Sequence, residues 1–402
     1  MENRTQPTPK TNRRGQIVEA AFKLSETSED WSLAEVAGLV GVSKTALYRH
    51  FHNRAEIDAE MKRQMLADLL STIDAAHSSP IRIRAALVAL FREKPAYHQL
   101  IMKSIFSDPD FDRHLLSFLI AGSGQFARFF TGLENLPDNR RKHISSWFLL
   151  NSVSIMIASF DIEVLEKHQD EFLEVLENGM TDFGMADDAR LDELELACRL
   201  PDGYSGKGTE QLDRLLSAIA GAIRHHGIKG TTVERIAEQM GRAKSSLYFY
   251  GKTKAEMISM LLTKETENII ALCGERLGYG RNFAEQLYIL MVTEANYILS
   301  VPEMIPVFNW IRYELVSNRF EEPHTAESVS RFLELFLPPG RDRPGTDGKE
   351  RTLAFVKWAL ILSASVVIHE RKPGVSPETI AQKIRLMFSH MTGGDKELYE
   401  EL

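Results

Sequence analysis

Cysteine is scarce in this sequence: 402 residues hold two, Cys198 and Cys273, far apart and without a CxxC partner. That count excludes a disulfide framework and a cysteine-built metal site, and it fits a reducing, cytoplasmic setting. Long apolar runs are missing as well. No stretch reaches the roughly 18 apolar residues of a membrane span, so none is expected. The start, Met1 to Lys10, is polar and lacks the apolar core of a secretion signal. Positive charge is not in excess either. The formal net charge is -8, which argues against general polyanion binding by the whole surface while leaving room for a local basic face.

Signatures of chemistry are absent too. Gly122-Ser123-Gly124 has no strand before it, as a nucleophile elbow requires. Gly278-Tyr279-Gly280 lacks both the strand and the third glycine of a dinucleotide fingerprint. His225 and His226 are adjacent, so on a helix they point in different directions, and no HExxH occurs. No catalytic residue, metal or cofactor is expected, and the chain does not read as an enzyme. What remains is an ordinary globular composition, 44% hydrophobic and 26% charged.

The main positive signal is a repeat. Ala37-Gly38-Leu39-Val40-Gly41-Val42-Ser43-Lys44-Thr45-Ala46-Leu47-Tyr48-Arg49-His50-Phe51 returns about 200 residues later as Ala237-Glu238-Gln239-Met240-Gly241-Arg242-Ala243-Lys244-Ser245-Ser246-Leu247-Tyr248-Phe249-Tyr250-Gly251. Each copy reads as three short helices. Ile17, Ala20, Ala21 and Leu24 form an amphipathic first helix, and Leu33, Val36, Ala37 and Val40 a second. Ser32 with Glu35 predicts a capping box, Gly41 a permissive turn, and Ser43 a cap on the third helix. In the second copy Leu215, Leu216, Ile219 and Ile223 make the first helix and Val233, Ile236, Ala237 and Met240 the next. A slightly longer loop is expected at His226-Gly227-Ile228-Lys229-Gly230.

A unit of this kind lays its last helix in the major groove of duplex DNA. The candidate DNA-contacting residues are Ser32, Ser43, Lys44, Thr45, Ala46, Tyr48, Arg49 and His50 in the first head. In the second they are Thr232, Arg242, Lys244, Ser245, Ser246, Tyr248 and Phe249. Lys and Arg neutralise phosphate or read guanine, and hydroxyls serve backbone or bases. Lys10, Arg13 and Arg14 read as a basic arm before the first helix, either solvated or reaching an adjacent groove.

On these residues the first copy resembles the DNA-binding domain of the TetR (tetracycline repressor) family of bacterial regulators. The resemblance rests on Ala37, Gly41-Val42-Ser43-Lys44, Leu47-Tyr48-Arg49-His50-Phe51 and Glu56-Ile57. The second copy is similar more loosely, through Thr232-Val233, Ile236-Ala237, Gly241, Lys244, Leu247-Tyr248 and Lys254-Ala255-Glu256-Met257. The resemblance implies homodimer-like DNA binding, released by a small molecule held in a helical body. Two copies in tandem imply a single-chain pseudo-dimer, with further dimerisation open.

The second copy departs from the pattern at three places. Phe51 becomes Gly251, Ser43 becomes Ala243 and Val42 becomes Arg242. Three readings stay open: a weakened head that relies on tethering, a head that reads a different half-site with Tyr250 repacked, or a structural relic.

The expected fold is all-α, two tandem units of helix-turn-helix head plus helical body. The boundaries are an arm at 1–11, the first head at 12–57, the first body at 58–186 and a linker at 187–209. The second head follows at 210–257, the second body at 258–395 and a tail at 396–402. Candidate effector-pocket residues are Phe91, Tyr97, His98, Phe126, Trp147 and Asn151 in the first body, with Tyr297, Phe308, Arg312 and Trp358 in the second. The expected function is a ligand-responsive transcription regulator, a repressor, with operator DNA and a small-molecule effector as partners and no membrane. The alternative is a protein–protein sequestering module with little DNA affinity.

Overall fold

The structure, a computed structural model, describes residues 13–27, 31–76, 80–107, 111–132, 135–137, 141, 144, 162–180, 186–201, 204, 210–301, 303, 305–307, 326–337, 348–370 and 376–394. Among these the fold is all-α, without strands. The first head is α1 (Arg13–Thr27), α2 (Leu33–Val40) and α3 (Lys44–Tyr48). Behind it follow α4 (Arg54–Ala75), α5 (Pro80–Glu93), α6 (Pro95–Ser107), α7 (Phe111–Gly122), α8 (Gly124–Ala127), α9 (Ile162–Asn178) and α10 (Asp188–Ala197). The second head is α11 (Glu210–Gly230), α12 (Val233–Gln239) and α13 (Lys244–Leu247). Its body holds α14 (Lys254–Arg276), α15 (Phe283–Ser300), α16 (Ala326–Leu333), α17 (Gly348–Glu370) and α18 (Pro377–Gly393).

The first head hangs on the long helix that follows it. Ile57, Met61, Met65, Leu69 and Ile73 are buried along α4 at a spacing of four, one stripe facing α1 and α5. Trp31 fastens this joint. Its indole donates to Ser25 Oγ at 2.8 Å, and the Arg54 guanidinium lies 4.2 Å over its ring while donating to its carbonyl at 3.1 Å. In the second body α15 is buried almost all round and packs against α10, α14, α17 and α18. The stretch Gly348–Ile368 of α17 is long and apolar enough to cross a membrane. That was not foreseen from the sequence, but 61% of the stretch is buried, so its apolar surface serves mainly as core against α15, α18 and α9.

The break expected at 226–230 falls at Gly227, whose φ of 70° and ψ of 170° interrupt α11 in a conformation that only glycine adopts freely, and a helical turn then runs to Gly230. One local expectation is corrected. Arg13 and Arg14 are not an arm but the first turn of α1. Arg14 donates to the His50 carbonyl at 2.9 Å and its guanidinium lies 4.2 Å over the Phe51 ring. Lys10 lies outside the described residues.

The segment read as a linker contains α10, and charge pairs tie that helix to the second body. Arg190 meets Glu285 at 3.0 Å, and Arg385 of α18 meets Glu195 at 2.7 Å. The first half reaches the second through α9. This helix packs on α5 on one side and on α17 and α18 on the other. Phe172 of α9 lies 5.0 Å from the Phe355 ring and edge-on to Trp358. Beside them Glu171 and Arg351 form a buried ion pair.

Candidate nucleic-acid interface

The two heads are built on the same local frame. In the first, Ser32 caps α2 reciprocally with Glu35: Ser32 Oγ accepts from the Glu35 amide at 3.2 Å, and the Glu35 carboxylate accepts from the Ser32 amide at 2.7 Å. The Ser32 amide, joined by the Ser32 hydroxyl donating at 2.8 Å, holds the Glu35 carboxyl below the usual carboxylate range. In the second, Thr232 accepts from the Arg235 amide at 3.4 Å. Gly41 and Gly241 both turn with positive φ, 72° and 63°. Their chains then form equivalent bonds, Val42 amide to Ala37 carbonyl and Arg242 amide to Ala237 carbonyl. Leu47 and Leu247 are both fully buried and anchor the short reading helices α3 and α13. Burying such a side chain stabilises each head by about 1.5–3 kcal/mol. The exits match too. His52 and Lys252 amides donate to Glu56 and Glu256, whose own amides donate to the caps Asn53 and Thr253.

On this common frame the outward side chains differ. Ser43, Lys44, Thr45, Tyr48 and Arg49 are exposed on the first head; Ala46 and His50 are half-buried. Ser43 Oγ accepts from the Ala46 amide at 3.1 Å, so that reading helix is capped. Arg242, Lys244, Ser245, Ser246, Tyr248 and Phe249 are exposed on the second, and Ala243 provides no side-chain cap. Tyr48 and Tyr248 are similarly open, 40% and 47%, but Phe249 is 82% exposed where the first head has Arg49.

At Gly251, where the first head has Phe51, the fold leaves no room for a side chain. A Cβ on Gly251 would lie 2.8 Å from Glu256 Cβ and 2.9 Å from the Met257 amide nitrogen, because the chain presses on the start of α14. Tyr250 instead packs, half-buried, against the core. It also lines an open groove of about 540 Å³ with Gln211, Arg214, Gln239, Met240 and Arg242.

Sequence reasoning missed Glu234, in the first turn of α12. Its carboxylate pairs with the Lys244 ammonium of the reading helix. That pairing holds the Glu234 carboxyl down at about 2 and raises Lys244. The available signal was the contrast with Ala34, which holds the matching place in the first head. Lys44 instead rests 6.0 Å over the Tyr48 ring.

Residues 215–260, covering most of the second head, match the family model for bacterial regulatory proteins, tetR family. The match supports a tetR-like DNA-binding head over that stretch. It falls on the copy whose sequence pattern is the looser of the two, and it supports a DNA-binding transcriptional regulator. No curated protein matches the chain.

The pocket candidates that the structure describes sit in the cores of the bodies. Tyr97 packs 5.0 Å from Phe22 and donates its hydroxyl to Asp68 at 2.5 Å; burial and that carboxylate push its phenol up. Phe91 lies 6.1 Å from the His98 ring, and Phe126 4.9 Å from Phe130. The Tyr297 hydroxyl is shared between Glu265 and Asn268, and Trp358 is packed on Phe172 and Phe355. Trp147, Asn151, Phe308 and Arg312 lie outside the described residues.

Proposed function

We propose that this chain is a ligand-responsive transcription regulator of the cytoplasm, acting as a repressor. Its two unequal heads bind the two halves of one operator as a single-chain pseudo-dimer. The observation that supports this reading best is the pair of reading helices held on equivalent turns, anchors and exit caps, each presenting Lys and Tyr outward. The packing of α9 on α17 and α18 supports an intramolecular bundle in place of a homodimer interface. Once one head is bound, the tethered second head searches at high effective concentration, so even a weak head adds affinity. Half-sites one helical turn apart require reading helices about 34–36 Å apart. An effector seated among the body aromatics acts by favouring one separation of the heads over another.

Selection of bound duplexes from a random library, with purified full-length protein at fixed salt, tests the reading. Enrichment of a two-part motif with unequal halves is the expected result. No enrichment from folded, effector-free protein overturns it in favour of a partner-binding module. A sedimentation coefficient that stays constant across protein concentration is expected of the pseudo-dimer, and a concentration-dependent one counts against it.

A further inference from the structure

The two reading helices carry a lysine at the same place, Lys44 and Lys244, on equivalent turns. Among the differences around them, one bears on the lysine directly. In the second head the Glu234 carboxylate, projecting from the first turn of α12, takes the Lys244 ammonium as its partner. The first head has Ala34 there, and among the described residues Lys44 rests over the Tyr48 ring, at 6.0 Å. Both Glu234 and Lys244 are exposed. An exposed ion pair contributes little to folding stability, so its consequence falls on whatever the lysine would otherwise meet.

We propose that Glu234 restrains the second head by occupying Lys244, making it the weaker and less salt-sensitive of the two DNA-reading heads. This rests on the DNA-binding reading above. A lysine that neutralises a phosphate releases counterions and steepens the salt dependence of binding. Lys244 reaches a phosphate only by leaving Glu234 or by bringing a carboxylate up against the DNA backbone. Either route lowers the gain. Lys44 faces neither cost, so the first head locates the operator and the second follows through the tether. The direction of the Lys244 shift, raised by the Glu234 carboxylate, agrees with a lysine already partnered in the free protein.

The test uses full-length protein and two probes, duplex of the selected motif and random-sequence duplex, titrated over a range of salt. Glu234→Ala, which copies the first head, is expected to tighten binding a few-fold and to steepen the salt slope by about one unit. Lys44→Ala is expected to weaken wild-type binding more than Lys244→Ala does. In a Lys244→Ala background, Glu234→Ala is expected to lose most of its effect. If Lys44→Ala weakens binding while Glu234→Ala changes nothing, the restraint is overturned and the DNA reading stands. If Glu234→Ala tightens binding equally with and without Lys244, the carboxylate acts by plain repulsion and the proposal is wrong. If neither Lys44→Ala nor Lys244→Ala alters binding to either probe, the DNA reading fails and the restraint fails with it. Glu234→Gln, which keeps the side-chain shape, separates charge from packing.

Discussion

Gly179 and Gly394 meet backbone to backbone. A Cβ on Gly179 would lie 2.0 Å from the Thr392 carbonyl oxygen, and one on Gly394 would lie 2.4 Å from the Gly179 nitrogen. Each follows a long helix, α9 or α18, each has positive φ, and each amide closes onto a carbonyl of its own last turn, Val175 or His390. The crossing is sealed by the Met180 amide donating to the Thr392 carbonyl at 2.9 Å. Two helix ends that approach this closely leave no room for any side chain.

Gly179→Ala is therefore expected to cost more than the roughly 1–2 kcal/mol of left-handed strain, because backbone must also move. Gly41→Ala is the control: its φ is 72°, but nothing lies within 4 Å of the added Cβ. Thermal denaturation of the two variants decides the matter. Equal losses would mean that α9 and α18 do not cross at their ends in solution.

The caps of the reading helices predict opposite effects in the two heads. Ser43→Ala removes the bond from the Ala46 amide and is expected to cost about 1 kcal/mol. Ala243→Ser supplies a cap where none exists and is expected to return a similar amount. Urea denaturation, with amide exchange at Ala46 and Ser246 as the local probe, checks both signs. A loss of stability on Ala243→Ser would mean that the second turn cannot seat a cap.

Glu294 predicts a pH dependence. Burial raises its carboxyl to about 8, against the opposing effect of the Ser363 hydroxyl. The folded protein thus holds a proton that the unfolded chain releases at ordinary carboxylate pH. Between about 4.5 and about 8 the unfolded state binds fewer protons, so stability falls as pH rises, by up to ~1.4 kcal/mol per unit. Above about 8 this contribution levels off. Glu294→Gln is expected to remove the slope and to be more stable than wild type at pH 8. Denaturation midpoints compared at several pH values would expose an unchanged slope, which would place the dependence elsewhere.

The Glu171–Arg351 pair predicts strong non-additivity across the junction of the halves. Its side chains are only 7% and 6% exposed. Glu171→Leu or Arg351→Met alone leaves a buried charge and is expected to cost about 3–5 kcal/mol, while the double variant recovers most of that. Additive losses in a double-mutant cycle would show that the two groups do not share an environment.

The parts of this fold legible in the sequence are those whose partners lie within one helical turn. Ser32 with Glu35, Ser43 with the Ala46 amide, and the turn at Gly41 all form as the spacing predicts, because a cap needs only its own next residues. The burial of Leu47 and Phe51 follows from their four-residue spacing. What was not legible depends on a turn or a crossing. Arg14 reads as part of a flexible arm until α3 brings the His50 carbonyl to it. Glu234 reads as a helix-surface charge until the turn at Gly241 folds Lys244 back beside it. Gly251 reads as the loss of an aromatic, and only the close approach of α14 shows why a side chain is excluded. Glu171 and Arg351 carry no local signal at all.

A regulator made of two identical chains takes every substitution twice, once on each reading surface, so its halves cannot drift apart. In this chain a change at Ala34 leaves Glu234 untouched, and one at Arg49 leaves Phe249 untouched. Joining the heads by peptide bonds thus changes how they are inherited. One surface is free to vary while the other is kept.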